Sequence, residues 1–297
     1  MTLETSHLEL GYGSTVVIHD LSYTVPEGRI TSLVGRNGCG KSTLLRAMGR
    51  LSRPRSGAVL LDGRSIAQTP PRELARKLAI LPQSPSAPEG MTVRELVRHG
   101  RYPHRHLLGM EGAEDRRVIA WALEQTGMRE LADRPLDRLS GGQRQRAWIA
   151  LALAQDTGIV LLDEPTTYLD VAYQLELMEL LRTLNAEHGT TVLMVLHDLN
   201  QAAQFSHELV AVRGGTVYAA GPPAEVLTER MVRDVFGLES DITTDPRTGS
   251  PLCLPYALAR TEGTPKKSAD SPADAHDADD ADDAAGTVQP VSTGVGA

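Results

Sequence analysis

Gly35-Arg36-Asn37-Gly38-Cys39-Gly40-Lys41-Ser42-Thr43 is the stretch on which the reading of this chain turns. Its spacing is G-x-x-x-x-G-K-S. The run Arg29-Ile30-Thr31-Ser32-Leu33-Val34 before it reads as a strand, and Thr43-Leu44-Leu45-Arg46-Ala47-Met48 after it reads as a helix. That context is the one in which such a loop cradles nucleotide phosphates. Gly35, Gly38 and Gly40 let the backbone curl with its N–H groups inward, and the helix adds the positive end of its dipole. Lys41 brings a mobile cation to the terminal phosphates. The Ser42 hydroxyl, next in line, is suited to ligate magnesium.

Working outward, polar residues recur just past apolar strand-like runs. Ala79-Ile80-Leu81-Pro82 leads to Gln83, whose amide can reach a metal or a water, although taken alone it reads more readily as a polar loop residue. Ile159-Val160-Leu161-Leu162 is fully apolar and ends in Asp163-Glu164. Asp163 there can hold magnesium through water, and Glu164 can act on an attacking water as general base. The run Thr190 to Leu196 ends at His197, again at the carboxyl edge where open α/β sheets put ligands. Tyr12, between Gly11 and Gly13, is either an adenine platform or a strand-edge tyrosine.

Leu139-Ser140-Gly141-Gly142-Gln143 opens a second helix start suited to an anion. Ser140 is the N-cap, Gln143 completes a capping box, and two glycines leave the first-turn N–H groups unshielded. Thr92-x-x-Glu95 opens another helix by the same device, and residues 114–126 form an amphipathic one. Elsewhere the sequence predicts two strand-like runs over residues 8–34, a strand over 57–63 and short helix from Pro71 to Leu78. It further predicts a long helix over 171–188, a hairpin from Glu208 to Ala220, a helix from Ala224 to Phe236 and a hairpin around 245–249. His99, His104 and His106 match no common metal-ligand spacing, so a solvated or partner-contacting surface is expected there rather than zinc.

With 41% hydrophobic and 23% charged residues over 297, the chain can bury a large core. No apolar run reaches the roughly 18 residues of a membrane span. The first residues lack a secretory pattern, and two cysteines cannot build a disulfide framework, so a reduced cytosol is expected. Of the net charge of −8, residues 261–297 carry −6, with eight acids against two lysines. The body is nearly neutral and gives no bulk electrostatic argument for a nucleic-acid partner. The segment 261–297, rich in Ala and Asp, has the composition of a disordered tail.

Tyr12, the 35–43 loop, Gln83, Leu139 to Gln143, Ile159 to Glu164, Leu169-Asp170 and His197 follow one another in this order. Together they resemble the ATP-binding subunit of ABC transporters over residues 3 to about 255. The resemblance implies an α/β fold: a P-loop NTPase core with a mixed sheet, an N-terminal antiparallel β subdomain and an inserted helical subdomain of about 84–157, all within a domain of residues 1–260. It implies ATP and Mg2+ as cofactors. Gly35, Asn37, Gly38, Gly40, Lys41, Ser42 and Thr43 would hold the phosphates and Tyr12 would stack on adenine. Ser42 and Gln83 would ligate the metal, Glu164 would be the catalytic base, and His197 would contact the terminal phosphate.

Asp170 would lie at the interface of a homodimer, and Ser140, Gly141, Gly142 and Gln143 would bind ATP held by the opposite copy. Segment 84–110 would dock on an integral-membrane permease, at the cytoplasmic face of the membrane, with a periplasmic or lipid-anchored solute-binding protein acting indirectly and no nucleic acid involved. Asp163 to Asp170, His197 to Ala202 and Gly100-Arg101-Tyr102-Pro103 resemble the uptake subgroup for ferric siderophores, haem and cobalamin. Tyr168 stands where most of the family has serine, and His207 where many have aspartate. An exporter ATPase is the nearer alternative, and a soluble non-transport ABC ATPase the more distant one.

Overall fold

The computed structural model describes residues 1–105 and 111–259. His106, the end of the 84–110 segment and the acidic 261–297 tail lie outside the described residues. In chain order the strands are β1 (Leu3–Tyr12), β2 (Thr15–Val25), β3 (Ile30–Val34), β4 (Ser56–Leu61), β5 (Arg64–Ser65), β6 (Leu78–Leu81), β7 (Ile159–Asp163), β8 (Thr191–Val195), β9 (Glu208–Arg213), β10 (Thr216–Gly221), β11 (Leu238–Thr244) and β12 (Pro251–Leu258). The main helices are α1 (Lys41–Met48), α2 (Pro71–Ala75), α3 (Val93–His99), α4 (Ala113–Gln125), α5 (Gly141–Ala154), α6 (Val171–His188) and α7 (Leu199–Phe205).

The central sheet has the order β10-β9-β3-β8-β7-β6, parallel except for β10 at one edge. Its register puts Leu33 beside Val195, Val195 beside Asp163, and Leu162 beside Leu81. The carboxyl ends of β3, β8, β7 and β6 therefore finish at one level, and the loops that follow them share one edge. Alternation along each strand fills both faces. Ile159 and Leu161 join Leu193 and Val195 in one buried cluster with α1 and the N-terminal sheet. Val160 and Leu162 join Val192 and Met194 in a second with α3 to α7. Strands buried on both faces read as unbroken apolar runs, which is why these were legible.

The antiparallel sheet β2-β1-β4-β5 lies N-terminal and packs in the α1 cluster. Residues 3–34 hold three strands rather than the two expected from 8–34: β1 and β2 form a hairpin turning at Gly13, whose φ of 53° suits a tight turn. The expected helix 224–236 is broken. Thr228 interrupts it, its hydroxyl accepting from the Met231 N–H and starting a new turn, and Val232–Phe236 widens into a π-helical turn. Helix α7 is additional to the elements the sequence predicts; Asp198 is its N-cap and accepts from the N–H groups of Asn200 and Gln201.

Helices α3, α4 and α5 form the inserted helical part, and their junction is ionic. Arg101, 3% exposed, donates through Nε to Asp115 Oδ1 at 2.9 Å and through Nη1 to the Ala154 carbonyl at 3.0 Å. Burial raises and the guanidinium and Gly112 N–H lower the Asp115 pKa, with a net depression. Arg101 is thus a fastening inside the helical part, not a partner-contacting surface residue. His104 Nε2 lies 2.8 Å from the Gln155 carbonyl, and His99 stacks on Tyr102.

Candidate nucleotide-hydrolysing site

A cleft of about 520 Å³ is lined by Tyr12, Val17, Asn37, Gly38, Gly40, Lys41, Ser42, Thr43, Gln83, Glu164 and His197. Ten of the candidate residues, from Tyr12 to His197, thus meet: the loop residues, Gln83, Glu164 and His197 because the parallel strand ends are in register, and Tyr12 from the end of β1 in the N-terminal sheet. Gly40 caps α1 at φ 106°, and a Cβ there would come within 2.5 Å of Ile18 Cδ1. Only glycine gives both the backbone turn and this approach to β2. Val17, beside Ile18 on β2, is the lining residue that motif reading did not find. No motif marks it, since it reaches the cleft only through the packing of the two sheets.

Lys41 is 5% exposed and donates through Nζ to the carbonyls of Gly35 at 2.7 Å and Arg36 at 3.1 Å. The ammonium so held braces the backbone of the loop. Tyr12 is exposed, with its hydroxyl 3.5 Å from Thr43 Oγ1.

Glu164 has the left-handed backbone conformation, φ 54°, which is costly for a non-glycine residue and is tolerated where the surroundings fix it. Its Oε2 accepts from Gln83 Nε2 at 2.7 Å, and Oε1 lies 2.7 Å from His197 Nε2. Both oxygens are engaged, so the carboxylate is held in orientation from two strand ends. The Thr167 hydroxyl also reaches Oε2, at 3.4 Å. Gln145, buried on α5, donates to the Pro165 carbonyl and ties the helical part to this turn. Neither Thr167 nor Gln145 announced itself in the sequence.

Asp163 sits one residue earlier and is fully buried. Neither carboxylate oxygen has a hydrogen-bond partner, and the nearest cation, Arg46 Nε, stands 3.4 Å from Oδ2. Burial pushes the carboxyl pKa up, with Ser42 and Arg46 pulling against it. An orphaned carboxylate beside a serine hydroxyl, with an amide oxygen at Gln83, is a set of hard oxygen donors that fits magnesium. Among the described residues no cluster of three or more His, Cys, Asp or Glu forms an all-protein metal cage. Phosphate oxygens and water would have to complete such a shell.

Ser140 to Gln143 and Asp170 do not line the cleft. The Ser140 hydroxyl accepts from the Gln143 N–H at 3.2 Å and the Ser140 N–H donates to Gln143 Oε1 at 3.1 Å, the capping box the spacing predicts. Gly142 lies against the next loop, where a Cβ would be 3.2 Å from the Tyr168 carbonyl. Asp170 caps α6, accepting from the Tyr173 N–H at 3.0 Å.

Residues 18–167 match the family model described as ABC transporter. The chain is 53% identical over 261 residues to the iron(3+)-hydroxamate import ATP-binding protein FhuC of Bacillus subtilis (strain 168), covering 88% of this chain and 97% of that one. Among solved structures, an inward-facing metal-chelate type ABC transporter matches with TM-score 0.72 and 27% identity, over 86% of this chain and 97% of that chain. A dimeric ATP-binding cassette bound to ADP and phosphate matches with TM-score 0.65 and 29% identity, over 74% and 98%.

Proposed function

The chain belongs to the ABC transporter family, and from that premise we propose that it is the ATPase subunit of a bacterial importer for ferric siderophores or related metal chelates. The observation that carries the site assignment is the Glu164 carboxylate, bonded on one side by Gln83 and on the other by His197 in the cleft of Lys41. The loop amides and the N-terminus of α1 receive the phosphate chain, and Lys41 exchanges its carbonyl partners for phosphate oxygens. Tyr12 covers the adenine. Glu164 takes a proton from the water that attacks the terminal phosphate, Gln83 and His197 fix its direction, and ADP and phosphate leave. Ser42 and Gln83, with Asp163 behind them, would hold magnesium, which would supply charge neutralisation to the phosphates.

Ser140 to Gln143 and Asp170 would complete the site of a second copy across a homodimer, and the surface of segment 84–110 would meet a membrane permease at its cytoplasmic face. Two copies closing on ATP and parting after hydrolysis would drive that permease.

Magnesium-dependent ATPase activity should fall by about 10²- to 10⁴-fold in Glu164→Gln, the usual contribution of a positioned general base, with nucleotide binding retained. Undiminished turnover would remove Glu164 from its role. Activity should rise more than linearly with protein concentration until dimers saturate; strict proportionality where the protein is demonstrably monomeric would refute the shared site. A deletion strain that takes up labelled ferric siderophore normally would refute the substrate.

A further inference from the structure

The helix that begins in the phosphate loop ends at a second basic cavity. About 540 Å³ in volume, it is lined by Ala47 and Arg50 at the far end of α1, by Ser52, Arg53 and Arg55 on the following loop, and by Ile66. Its size is that of a small-molecule site. No carboxylate is among its lining residues. None of the three arginines forms an ion pair among the described residues.

Two of the guanidinium groups are anchored on uncharged carbonyls. Arg50 Nη1 donates to Thr69 at 2.6 Å, and Arg55 Nη2 donates to Gly13 at 2.6 Å and Thr15 at 3.0 Å. These bonds fix the cations in place without neutralising them, and each guanidinium keeps further N–H donors. Arg53 is exposed and makes no hydrogen bond among the described residues. The Ser52 hydroxyl oxygen is enclosed and without a partner.

Arg50 also occupies a backbone position that favours glycine. It follows the end of α1 at φ 60°, with its N–H on the Ala47 carbonyl and the Leu51 N–H on that of Arg46. This is the left-handed helix closure that glycine usually supplies, and an arginine takes it up at a backbone cost. Three arginines and no carboxylate among the lining residues suit the cavity to a ligand that carries several negative charges. Guanidinium forks and a hydroxyl donor match phosphate oxygens in particular.

We propose that this cavity binds a phosphate-bearing polyanion, either a free oligophosphate or the headgroup of an anionic lipid. It is separate from the ATP cleft, with which it shares no lining residue. The inference does not depend on the assigned transport substrate.

The test uses the full chain with its phosphate loop saturated by a non-hydrolysable ATP analogue, so that the first site is out of play. Tripolyphosphate is titrated calorimetrically, and co-sedimentation is measured with phosphatidylglycerol and with phosphatidylcholine vesicles. Saturable binding of tripolyphosphate, weakened about tenfold or more by Arg53→Glu, supports a soluble ligand. Co-sedimentation with phosphatidylglycerol only, lost in the same variant, supports the headgroup. Arg53 holds no bond of the fold, so ATPase activity of this variant should equal that of the parent and certify its folding; Ser52→Ala serves as the second, uncharged probe. Absence of binding to either probe, or binding that Arg53→Glu and Ser52→Ala both leave unchanged, would overturn the proposal.

Discussion

Replacing Asp163 by Asn should stabilise the nucleotide-free protein while removing its response to magnesium. The carboxylate is fully buried, both oxygens lack hydrogen bonds, and Arg46 approaches only to 3.4 Å. Burial raises the Asp163 carboxyl above its ordinary value of 3.8. The native protein then holds that proton more tightly than the unfolded chain does, so stability declines as pH rises from 3.8 through the raised folded value. A neutral amide of the same shape avoids the charge burial but still lacks full hydrogen bonding. The net gain is therefore about 1–2 kcal/mol. For a domain of this size that is a rise in Tm of about 2–8 °C, read by thermal unfolding without nucleotide. Magnesium with an ATP analogue, at about 100 times its Kd, should add about 2.7 kcal/mol to the parent. Over the analogue alone it should add little to Asp163→Asn. A variant less stable than its parent by about 1 kcal/mol or more, or one with an equal magnesium increment, would refute the view that this carboxylate is kept at a cost for a cation.

Arg101→Met should destabilise by about 3–5 kcal/mol in urea unfolding, because it leaves Asp115 buried without its cation and strips the Ala154 carbonyl of its donor. A loss below about 1 kcal/mol would show that the junction is held by packing instead. His207 Nδ1 accepts from the Ile30 N–H at 3.0 Å, and burial, with Arg29 nearby, lowers its pKa from 6.5. The unfolded chain binds the extra proton first, so stability should fall as pH drops below about 6.5; the ring is exposed, which limits the loss to about 0.5 kcal/mol. His207→Asn keeps an acceptor without the titration and should flatten the unfolding profile between pH 7 and 5, whereas an unchanged slope would assign it elsewhere.

Much of the site was legible because its residues are tied to local backbone signals. The 35–43 loop lies between an apolar run and a helix, and Asp163-Glu164, His197 and Gln83 each terminate or follow an unbroken apolar strand. Strands buried on both faces leave that pattern in any single chain. The capping boxes at Thr92 and Ser140 formed as their spacing predicts, since both partners lie within one turn. The same local logic applies to α7, whose N-cap Asp198 accepts from N–H groups two and three residues on.

What the sequence determined by itself, then, was the family, the class of chemistry and the local form of the candidate segments, because glycine spacing, caps and apolar runs act over a few residues. Only the tertiary structure decided that Gln83 and His197 grip opposite oxygens of one carboxylate, a consequence of β6, β7 and β8 ending in register. It also decided that Arg101 is an internal fastening and that Val17 lines the cleft, matters of packing between segments far apart in the chain. The second helix start at Ser140 shows both sides of this division. Its cap is local and readable, while its exclusion from the lining of its own chain's cleft follows from how α5 packs against the core. The phosphate loop supplies one wall of the site, and the fold supplies the others.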